Sequence, residues 1–302
     1  MSKLQPFTMA VVSLFGAQAI HAWGVTGHHV VALIAEQRIT PEVRERIERL
    51  LFNGKYTMRD ISACADEIRS NRGRTPGGMC VEVAGNITQN TGPWHYIDIP
   101  PGAKDKNLDK YCPNGDCVVN ALERFTKVLH DSSDDAERRT ALLFVVHFMG
   151  DIHQPLHCTE RACDQGGNRE LVNFYLGDEE KADAHLHSVW DTDIVNKLMK
   201  DMGASDERAL TTALLDRLDP DSVPGWLHAG VPKIAWEGNA LAKKKVYRGI
   251  PFQDFCPTPT PKPNPAVDLK PGYESEAARV ARTQLTKAGV RLADLLDRNV
   301  TR

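Results

Sequence analysis

Apolar positions recur at helical spacing along most of this chain. The segments "TGHHVVALIAEQRI", "CVVNALERFTKVLHD", "RRTALLFVVHFMGDIH" and "SEAARVARTQLTKAGVRLADLLDRN" repeat apolar residues every three or four positions, which is the period of a helix that buries one face. The segment "TPEVRERIERLLF" also shows where its helix begins, because Thr40 suits the N-cap and Pro41 suits the first helical position. Strand periodicity is weak, and "RELVNFYL" predicts at most a short β-hairpin. The pattern predicts an all-α fold made of a single multi-helix domain.

The remaining segments divide into further helices and loops. Helical spacing continues in "AHLHSVWDTDIVNKLMKDM", "DERALTTALLDRL" and "VPGWLHAGVPKIAWEGNALAKKKVYRG", the last interrupted by Pro232. The polar stretch from Asn71 to Thr91 and the proline-rich run "CPTPTPKPNPAVDLKPG" predict loops. Only one helix follows the proline-rich run, which is too little for a second domain, so we expect that run to be a packed surface connection.

The N-terminus has the pattern of a secretory signal peptide. Lys3 supplies a positive charge, "FTMAVVSLFGAQAI" is an apolar stretch too short to span a membrane, and Ala22 suits a cleavage site. This predicts a signal peptide over residues 1–22 and a mature domain over residues 23–302. We therefore expect a secreted or periplasmic protein without a membrane anchor.

Composition and charge narrow the function. The chain has 302 residues, 41% of them hydrophobic, enough for a substantial core. Its net charge is −3, and loss of Lys3 with the signal peptide makes it −4. A slightly acidic protein lacks the overall positive charge with which proteins bind duplex nucleic acid. If the substrate carries a phosphate, metal ions or a local arginine must supply the positive charge that attracts it.

All seven cysteines lie in the predicted mature domain, which fits an oxidising compartment. Two pairs surround local turns, Cys112 with Cys117 and Cys158 with Cys163, and each pair could close a small loop. Cys64, Cys80 and Cys256 remain, and the odd number of cysteines leaves one free thiol. Among these three we favour a Cys64–Cys80 bond, and the partner of Cys256 stays open. No CxxC motif supports a cysteine-ligated zinc site.

The segment "HFMGDIHQPLH" concentrates potential metal ligands beside a helix break. His147 and Asp151 stand four residues apart, so on a helix they share a face, and Pro155 places His157 just past the helix end. Imidazole and carboxylate are ligands that zinc accepts. The alternative is a helix C-terminus whose histidines complement the helix dipole.

Further ligand-rich sites favour a metal site over the helix-dipole explanation. They are the pairs His187/Asp191, Asp66/Arg69, His95/Asp98 and Trp23/His28. Singly, each has an ordinary explanation as a cap, a surface ion pair or a buried histidine. Together they exceed the needs of one zinc, so they suggest a multinuclear metal site.

The motifs "WGVTGHHVVALIA", "ADEIR", "WHYIDIP", "YCPNGDC", "HFMGDIHQPLH", "GGN", "HLHSVWD" and "QLTKAGVRLA" resemble, in this order, those of the zinc-dependent single-strand nucleases of fungi, plants and bacteria, the S1/P1 nuclease family. The resemblance extends from Trp23 almost to the C-terminus. It implies a helical domain with three Zn²⁺ ions in a cleft. It also implies hydrolysis of single-stranded DNA and RNA to 5′-phosphate products, and 3′-nucleotidase activity.

The resemblance also implies roles for individual residues. The predicted zinc ligands are Asp66, His95, His147 and Asp151 for the first ion, Trp23 (amino nitrogen and carbonyl), His28 and the shared Asp151 for the second, and His157, His187 and Asp191 for the third. Asp66 and Arg69 would be catalytic, with Arg69 binding the phosphate oxygens. His29, His130, His153, His185 and His228 match no ligand position, and His153 is the best candidate to support a ligand indirectly.

Four residues are implied in substrate binding. Tyr96 would stack on a base, Asp98 would accept a hydrogen bond from a base edge, and Asn168 lies close by in sequence. Gln165 stands where an apolar partner is expected, which leaves base preference open. The expected partners are single-stranded DNA and RNA and nucleoside 3′-phosphates, and we expect a monomer.

Two other functions compete with this one. A zinc-dependent phospholipase C shares the N-terminal tryptophan and a similar three-zinc helical scaffold, but Tyr96, Asp98 and "GGN" suit a nucleotide better than a lipid. A secreted protein that only binds zinc would have no use for Arg69 beside the metals.

Overall fold

The computed structural model describes residues 23–69, 78–176, 179–256 and 265–300. The predicted signal peptide lies outside them. The α-helices in these ranges are Gly24–Arg38 (α1), Pro41–Leu50 (α2), Met58–Ile61 (α3), Cys64–Arg69 (α4), Met79–Ala84 (α5), Val118–Asp131 (α6), Asp135–Asp151 (α7), Leu186–Ser188 (α8), Ile194–Met202 (α9), Glu207–Asp216 (α10), Val231–Leu241 (α11) and Tyr273–Asn299 (α12). Short 3-10 turns include Gly92–His95 and Pro155–Cys158, and π-turns lie at Val189–Asp193 and Ala242–Val246. None of the described helices is both long and apolar enough to cross a bilayer.

Helix α7 is the centre of the fold. Its residues from Ala141 to Asp151 are all buried, so the helix is covered on every side. Phe144 and Phe148 stack with each other at 5.3 Å between ring centroids, and Phe125 of α6 stacks on Phe144 at 4.5 Å. This packing makes α7 a rigid support for the side chains at its C-terminal end. The predicted all-α architecture is confirmed.

Helices α1 and α12 pack directly on each other beside α7. A Cβ added to Gly289 would come within 2.4 Å of the Ile34 side chain, so the two helices touch at a point where a larger residue does not fit. Helix α2 begins as predicted, with the Thr40 hydroxyl accepting from the Val43 N–H and Pro41 in the first turn. Helix α1 is therefore anchored to the last long helix of the fold.

The sheet is small and extends the predicted hairpin. Strands Leu171–Leu176 (β1) and Glu179–His185 (β2) pair antiparallel, and Val267–Asp268 (β3) pairs parallel to β1. β3 lies at the end of the proline-rich run that we predicted to be entirely loop. The other predicted loop is also partly wrong, because α5 forms within it. Residues 71–77 and 257–264 of these two segments are outside the described ranges.

The disulfides correct one predicted pair. Cys64–Cys80 and Cys112–Cys117 form as predicted. Cys163, however, pairs with Cys256, and Cys158 is a buried free thiol. Cys158 ends the turn after α7, where its sulfur faces the Ile152 carbonyl at 3.3 Å and a Cβ on Gly238 would meet it at 3.0 Å. Inward packing of this side chain keeps it from a cysteine five residues away on the outer loop.

Candidate metal centre and active site

The C-terminal end of α7 carries the first predicted ligand pair. His147 and Asp151 are one turn apart and fully buried. Asp151 Oδ2 lies 2.9 Å from His95 Nδ1 and 3.3 Å from His147 Nε2. The other oxygen, Oδ1, lies 3.3 Å from Nε2 of His28 on α1. Asp151 therefore faces three imidazoles from three parts of the chain.

Asp66 reaches the same group from α4. Its Oδ1 lies 3.6 Å from His95 Nδ1 and 3.7 Å from His147 Nε2. The Cys64–Cys80 bond fixes α4 two residues before Asp66. The structure thus brings together the four residues predicted to bind the first zinc.

A second cluster lies past the helix break. The Pro155–Cys158 turn places His157 so that its Nε2 is 3.1 Å from His187 Nε2. His187 Nε2 is in turn 3.2 Å from Asp191 Oδ2, across the junction of α8 with the π-turn. The three residues predicted for the third zinc are together, with ligand atoms within 4.8 Å of one another.

The N-terminal residues differ in part from the predicted arrangement. His28 stacks on His147 with 3.9 Å between ring centroids, which brings it to the first cluster. The Trp23 N–H donates to Asp191 Oδ1 at 3.2 Å, although we predicted Asp191 for a different ion. In the unprocessed chain this nitrogen belongs to a peptide bond with Ala22, so it is a donor rather than a ligand. Trp23 therefore contacts the second cluster, through Asp191.

Main-chain carbonyls fix the orientation of three imidazoles. Nδ1 of His147 donates to the Ser62 carbonyl, Nδ1 of His157 to the His95 carbonyl, and Nδ1 of His187 to the Gly166 carbonyl, each at 2.7 Å. A carbonyl can only accept, so in the neutral ring the proton must be on Nδ1 and the lone pair on Nε2. All three Nε2 atoms face neighbouring imidazoles or carboxylates of the clusters.

The electrostatic environment favours a cation at this place. Burial lowers the pKa of His95 to about 4 and of His187 to about 3, so both rings are neutral at pH 7. Burial also opposes charge on His147, but the carboxylates of Asp151 and Asp66 outweigh it and raise the pKa of His147 to about 9. A metal ion would compete with that proton for the same negative field.

The spacing of the ligand atoms fits zinc. Two ligands bound at about 2.0–2.1 Å to a tetrahedral zinc stand about 3.3 Å apart. The His28–Asp151, His147–Asp151 and His187–Asp191 pairs have nitrogen–oxygen distances of 3.3, 3.3 and 3.2 Å. Asp151 Oδ1, Asp191 Oδ2 and His28 Nε2 are buried without a hydrogen-bond partner among the described residues. Buried polar atoms in that state cost about 1–3 kcal/mol each, which a bound cation would offset.

A pocket of about 390 Å³ opens beside the two clusters. All four residues predicted to bind substrate line it, and so do Arg69, Leu156, Glu160, Gly166 and two predicted zinc ligands, His157 and His187. The Tyr96 ring is 39% exposed and free to receive a flat ligand. The Asn168 amide donates to the Gln165 carbonyl at 2.7 Å, which holds this side of the wall in place. The pocket is therefore lined mainly by polar and charged residues and is directly joined to the clusters.

Arg69 connects the pocket to the metal-binding residues. Its Nη2 lies 3.6 Å from Asp66 Oδ1, and its side chain is 20% exposed. Asp66 is buried and Arg69 is not, so the guanidinium retains an open side toward the pocket. The Asp66–Arg69 pair is consequently part of this site rather than an ordinary surface ion pair.

Comparison with known proteins identifies the family. The family model described as S1/P1 nuclease matches residues 23–301. The chain belongs to the S1/P1 nuclease family. It is 28% identical to Endonuclease 2 of Arabidopsis thaliana, over 94% of this chain and 93% of that protein. It is 26% identical to Nuclease P1 of Penicillium citrinum, over 91% and 97%, and 27% identical to Nuclease S1 of Aspergillus oryzae, over 72% and 69%.

Membership of the S1/P1 nuclease family makes the chain a nuclease. The two clusters, which contain three groups of His and Asp ligands, are where it can hold metal ions. Two further residues of this S1/P1 nuclease were missed from the sequence. Gln154 donates to Asp191 Oδ1 at 2.7 Å, and Glu160 lines the pocket near Asp98. Gln154 could have been suspected from the sequence, because it lies inside the motif that contains the ligands His147, Asp151 and His157. Glu160 had none, because its partner Asp98 is distant in sequence.

The histidines without a predicted ligand role lie elsewhere. His153 is buried, but it donates to the Met149 carbonyl and its Nε2 accepts from Arg291 of α12. Burial and Arg291 lower its pKa to about 3, so it is a neutral acceptor. It therefore helps to join α7 to α12, through hydrogen bonds that involve none of the predicted metal ligands.

Proposed function

We propose that this S1/P1 nuclease is a zinc-dependent endonuclease that hydrolyses single-stranded DNA and RNA to 5′-phosphate products and also removes the phosphate of nucleoside 3′-phosphates. The proposal rests on one observation: a metal-binding cluster and the pocket share a wall. His157 and His187 belong both to a metal-binding cluster and to the pocket lined by Tyr96 and Asp98. A base in the pocket would thus place its own phosphate beside the clusters.

We assign three zinc ions to the predicted ligand sets. The donors are imidazoles and carboxylates without cysteine, arranged at the spacing of zinc ligands. Zinc, when bound, lowers the pKa of water toward neutrality and neutralises negative charge on phosphate oxygens. The set that includes Trp23 requires its free amino group, so it forms only if residues 1–22 are removed. We accordingly propose that the protein is exported and begins at Trp23.

Arg69 and Asp66 would act on the phosphate. The Arg69 guanidinium presents two parallel N–H groups, which match two oxygens of one phosphate. As charge grows on those oxygens in the transition state, the hydrogen bonds strengthen and stabilise it. Asp66 holds Arg69 in place and accepts hydrogen bonds, so it can orient an attacking water. The water oxygen would bond to phosphorus as the P–O3′ bond breaks, so the phosphate stays on the 5′ oxygen and the 3′ oxygen leaves as a hydroxyl that takes a proton from water.

The pocket supports specificity for single strands. Tyr96 would stack on the base, with Asp98 and Asn168 at its edge and Gln165 on the facing wall. A base in a duplex is paired and stacked on its neighbours, so it cannot enter a recessed pocket without unstacking energy of a few kcal/mol. The same polar wall disfavours a phospholipase C, whose lipid substrate needs apolar contacts.

The test uses purified protein that begins at Trp23. We expect close to three zinc ions per chain by metal analysis, and faster hydrolysis of single-stranded than of duplex DNA. Chelation should abolish activity and lower the melting temperature, because a ligand of the folded state stabilises it. Zinc should restore both.

Three results would contradict the proposal. Full activity with fewer than two metals would exclude the metal assignment. Hydrolysis of phosphatidylcholine in place of nucleic acid would favour the phospholipase. Zinc binding without turnover on any of these substrates would indicate a protein that only binds zinc.

A further inference from the structure

The wall of the base pocket is tied to the C-terminal half of α11. The segment after His95 runs beside the turn that carries His157, with Ile97 N–H donating to the His157 carbonyl and Glu160 N–H to the Ile99 carbonyl. The Asn239 amide of α11 donates to the Ile99 carbonyl at 2.9 Å and to the Cys158 carbonyl at 3.2 Å. One side chain thus joins α11 to both segments of the pocket wall, the one that contains Ile99 and the one that contains Cys158.

After Ile99 the chain continues from the pocket wall into a loop that lies close to a group of lysines. Lys243 stands one helical turn beyond Asn239, and a Cβ on Gly102 would come within 2.6 Å of its Nζ. Lys106, in the same loop as Gly102, places its Nζ 3.6 Å from the centre of the Trp236 ring on α11. The loop and the helix therefore form one face. We call Lys104, Lys106, Lys243 and Lys244, all exposed, the lysine surface.

The lysine surface is positive in a protein that is acidic overall. Residues 100–110 and 242–248 contain seven cations and two carboxylates, a net charge of +5, whereas the whole chain carries −3. Asp105, one of those carboxylates, is bound by Lys110. Lys245 and Arg248 pair with Glu276, so the cations that remain are the four members of the surface, with Asp109 as the one remaining carboxylate of the two segments.

These lysines differ from most others in having no ion-pair partner. In the described part of the chain most of the other lysines are paired, for example Lys55 with Glu82, Lys181 with Asp193 and Lys287 with Glu237. Among the described residues, no carboxylate lies within ion-pair distance of the four lysines of the surface. Lysines without partners remain available to phosphates, and each phosphate bound releases condensed counterions.

We propose that the lysine surface binds the phosphates of a single strand beyond the nucleotide held in the base pocket. The extended chain from Asp98 to Gly102 spans at most roughly 14 Å, so a strand leaving the pocket reaches these lysines within a few nucleotides. The proposal rests on the proposed nuclease function and adds an extended substrate site to it. Its consequence is a preference for long strands over dinucleotides.

The test compares a dinucleotide with an oligothymidylate of about 20 nucleotides, longer than the ~4–16 nucleotides that single-strand-binding folds occupy. It uses the zinc-loaded enzyme and the variant Lys106→Ala/Lys243→Ala/Lys244→Ala. On the long strand we expect KM to rise about tenfold at low salt, with kcat unchanged. Each phosphate contact contributes about 0.7 to the slope of log affinity against log salt, so the slope should fall by about 2. Dinucleotide kinetics should not change.

The control is Lys127→Ala/Lys197→Ala/Lys200→Ala, which removes the same charge from α6 and α9. Equal effects of the two triple variants on the long strand would overturn the proposal, as would equal losses on both substrates. If the lysine variant lost binding to anionic vesicles but cleaved the long strand normally, the surface would be one for membranes instead. If the unmodified enzyme cleaved neither substrate, the proposed function itself would fail.

Discussion

Arg69 contacts a buried carboxylate on one side and the base pocket on the other, so its geometry can be tested separately from its charge. Arg69→Lys keeps the positive charge but loses the two parallel N–H groups. We expect kcat to fall at least tenfold, because a lost transition-state contact costs a few kcal/mol, while the zinc content stays the same.

The matched control is Arg59→Lys, which makes the same change in an ion pair with Glu207 outside the pocket. It should leave kcat within about twofold, as a surface pair contributes little. Unchanged kinetics for Arg69→Lys would make Asp66–Arg69 a structural pair only.

Asp98 should give substrate binding a pH dependence near neutrality. Burial, reinforced by the charges of Glu160 and Asp164, raises the pKa of Asp98 to about 7. Below that pH the carboxyl is protonated, and above it the carboxylate accepts hydrogen bonds from amino groups of a base. For an adenine-containing dinucleotide we expect KM to fall as pH rises through 7.

Two variants separate this effect from titration elsewhere. Asp98→Asn should remove the inflection in KM, whereas Glu160→Gln should move it to lower pH by removing a neighbouring negative charge. The pH dependence of kcat should be the same in both variants and the parent. An inflection that persists in Asp98→Asn would assign it to another group.

Helix α7 packs against helix α1 so closely at Gly150 that there is no room for one more carbon atom. A Cβ on Gly150 would lie 2.7 Å from His28 Nδ1, too close for the ring to stay where it is. Gly150→Ala should therefore displace His28 and cost about 1–3 kcal/mol of stability by overpacking. We expect a loss of about one zinc per chain and at least tenfold lower kcat. Gly225→Ala is the control, since its added Cβ has only the Ser222 carbonyl nearby, at 3.6 Å.

The Cys163–Cys256 bond joins parts of the chain 93 residues apart. In the chain-entropy model, closing a loop of that length contributes about 4–5 kcal/mol. Cys163→Ser/Cys256→Ser should accordingly lower the melting temperature by roughly 5–10 °C. Cys158→Ser serves as the control, because it should leave all three bonds in place. Peptide mapping without reduction would contradict the assignment if it recovered a Cys158–Cys163 peptide.

The sequence was most informative where structure is local. Thr40 and Pro41 marked the start of α2, and the spacing of His147 and Asp151 placed both on one face of α7. Contacts between distant segments could not be read in this way. The pairing of Cys163 with Cys256, the hydrogen bond from Gln154 to Asp191 and the position of β3 beside β1 all depend on how the segments fold back on each other.

For the whole molecule, activity should depend on where the chain begins. If the Trp23 amino group is a zinc ligand, any residue before it converts that group into an amide without an available lone pair. A form with Met-Gly before Trp23 should fold, since the helical core is unaffected. It should bind about one zinc fewer and hydrolyse single-stranded DNA far more slowly than the form that starts at Trp23. Equal activity of the two forms would falsify the amino-terminal ligand but not the rest of the cluster.

The three carbonyls that orient His147, His157 and His187 belong to the main chain. Every amino acid offers the same carbonyl, so mutation of Ser62 to another residue leaves the acceptor in place. Only a change in the path of the backbone would remove it. Evolution can therefore replace the side chains around these imidazoles without turning the rings away from the clusters. The main chain thus holds the three imidazoles in a protein that shares only 26–28% of its residues with the three nucleases named above.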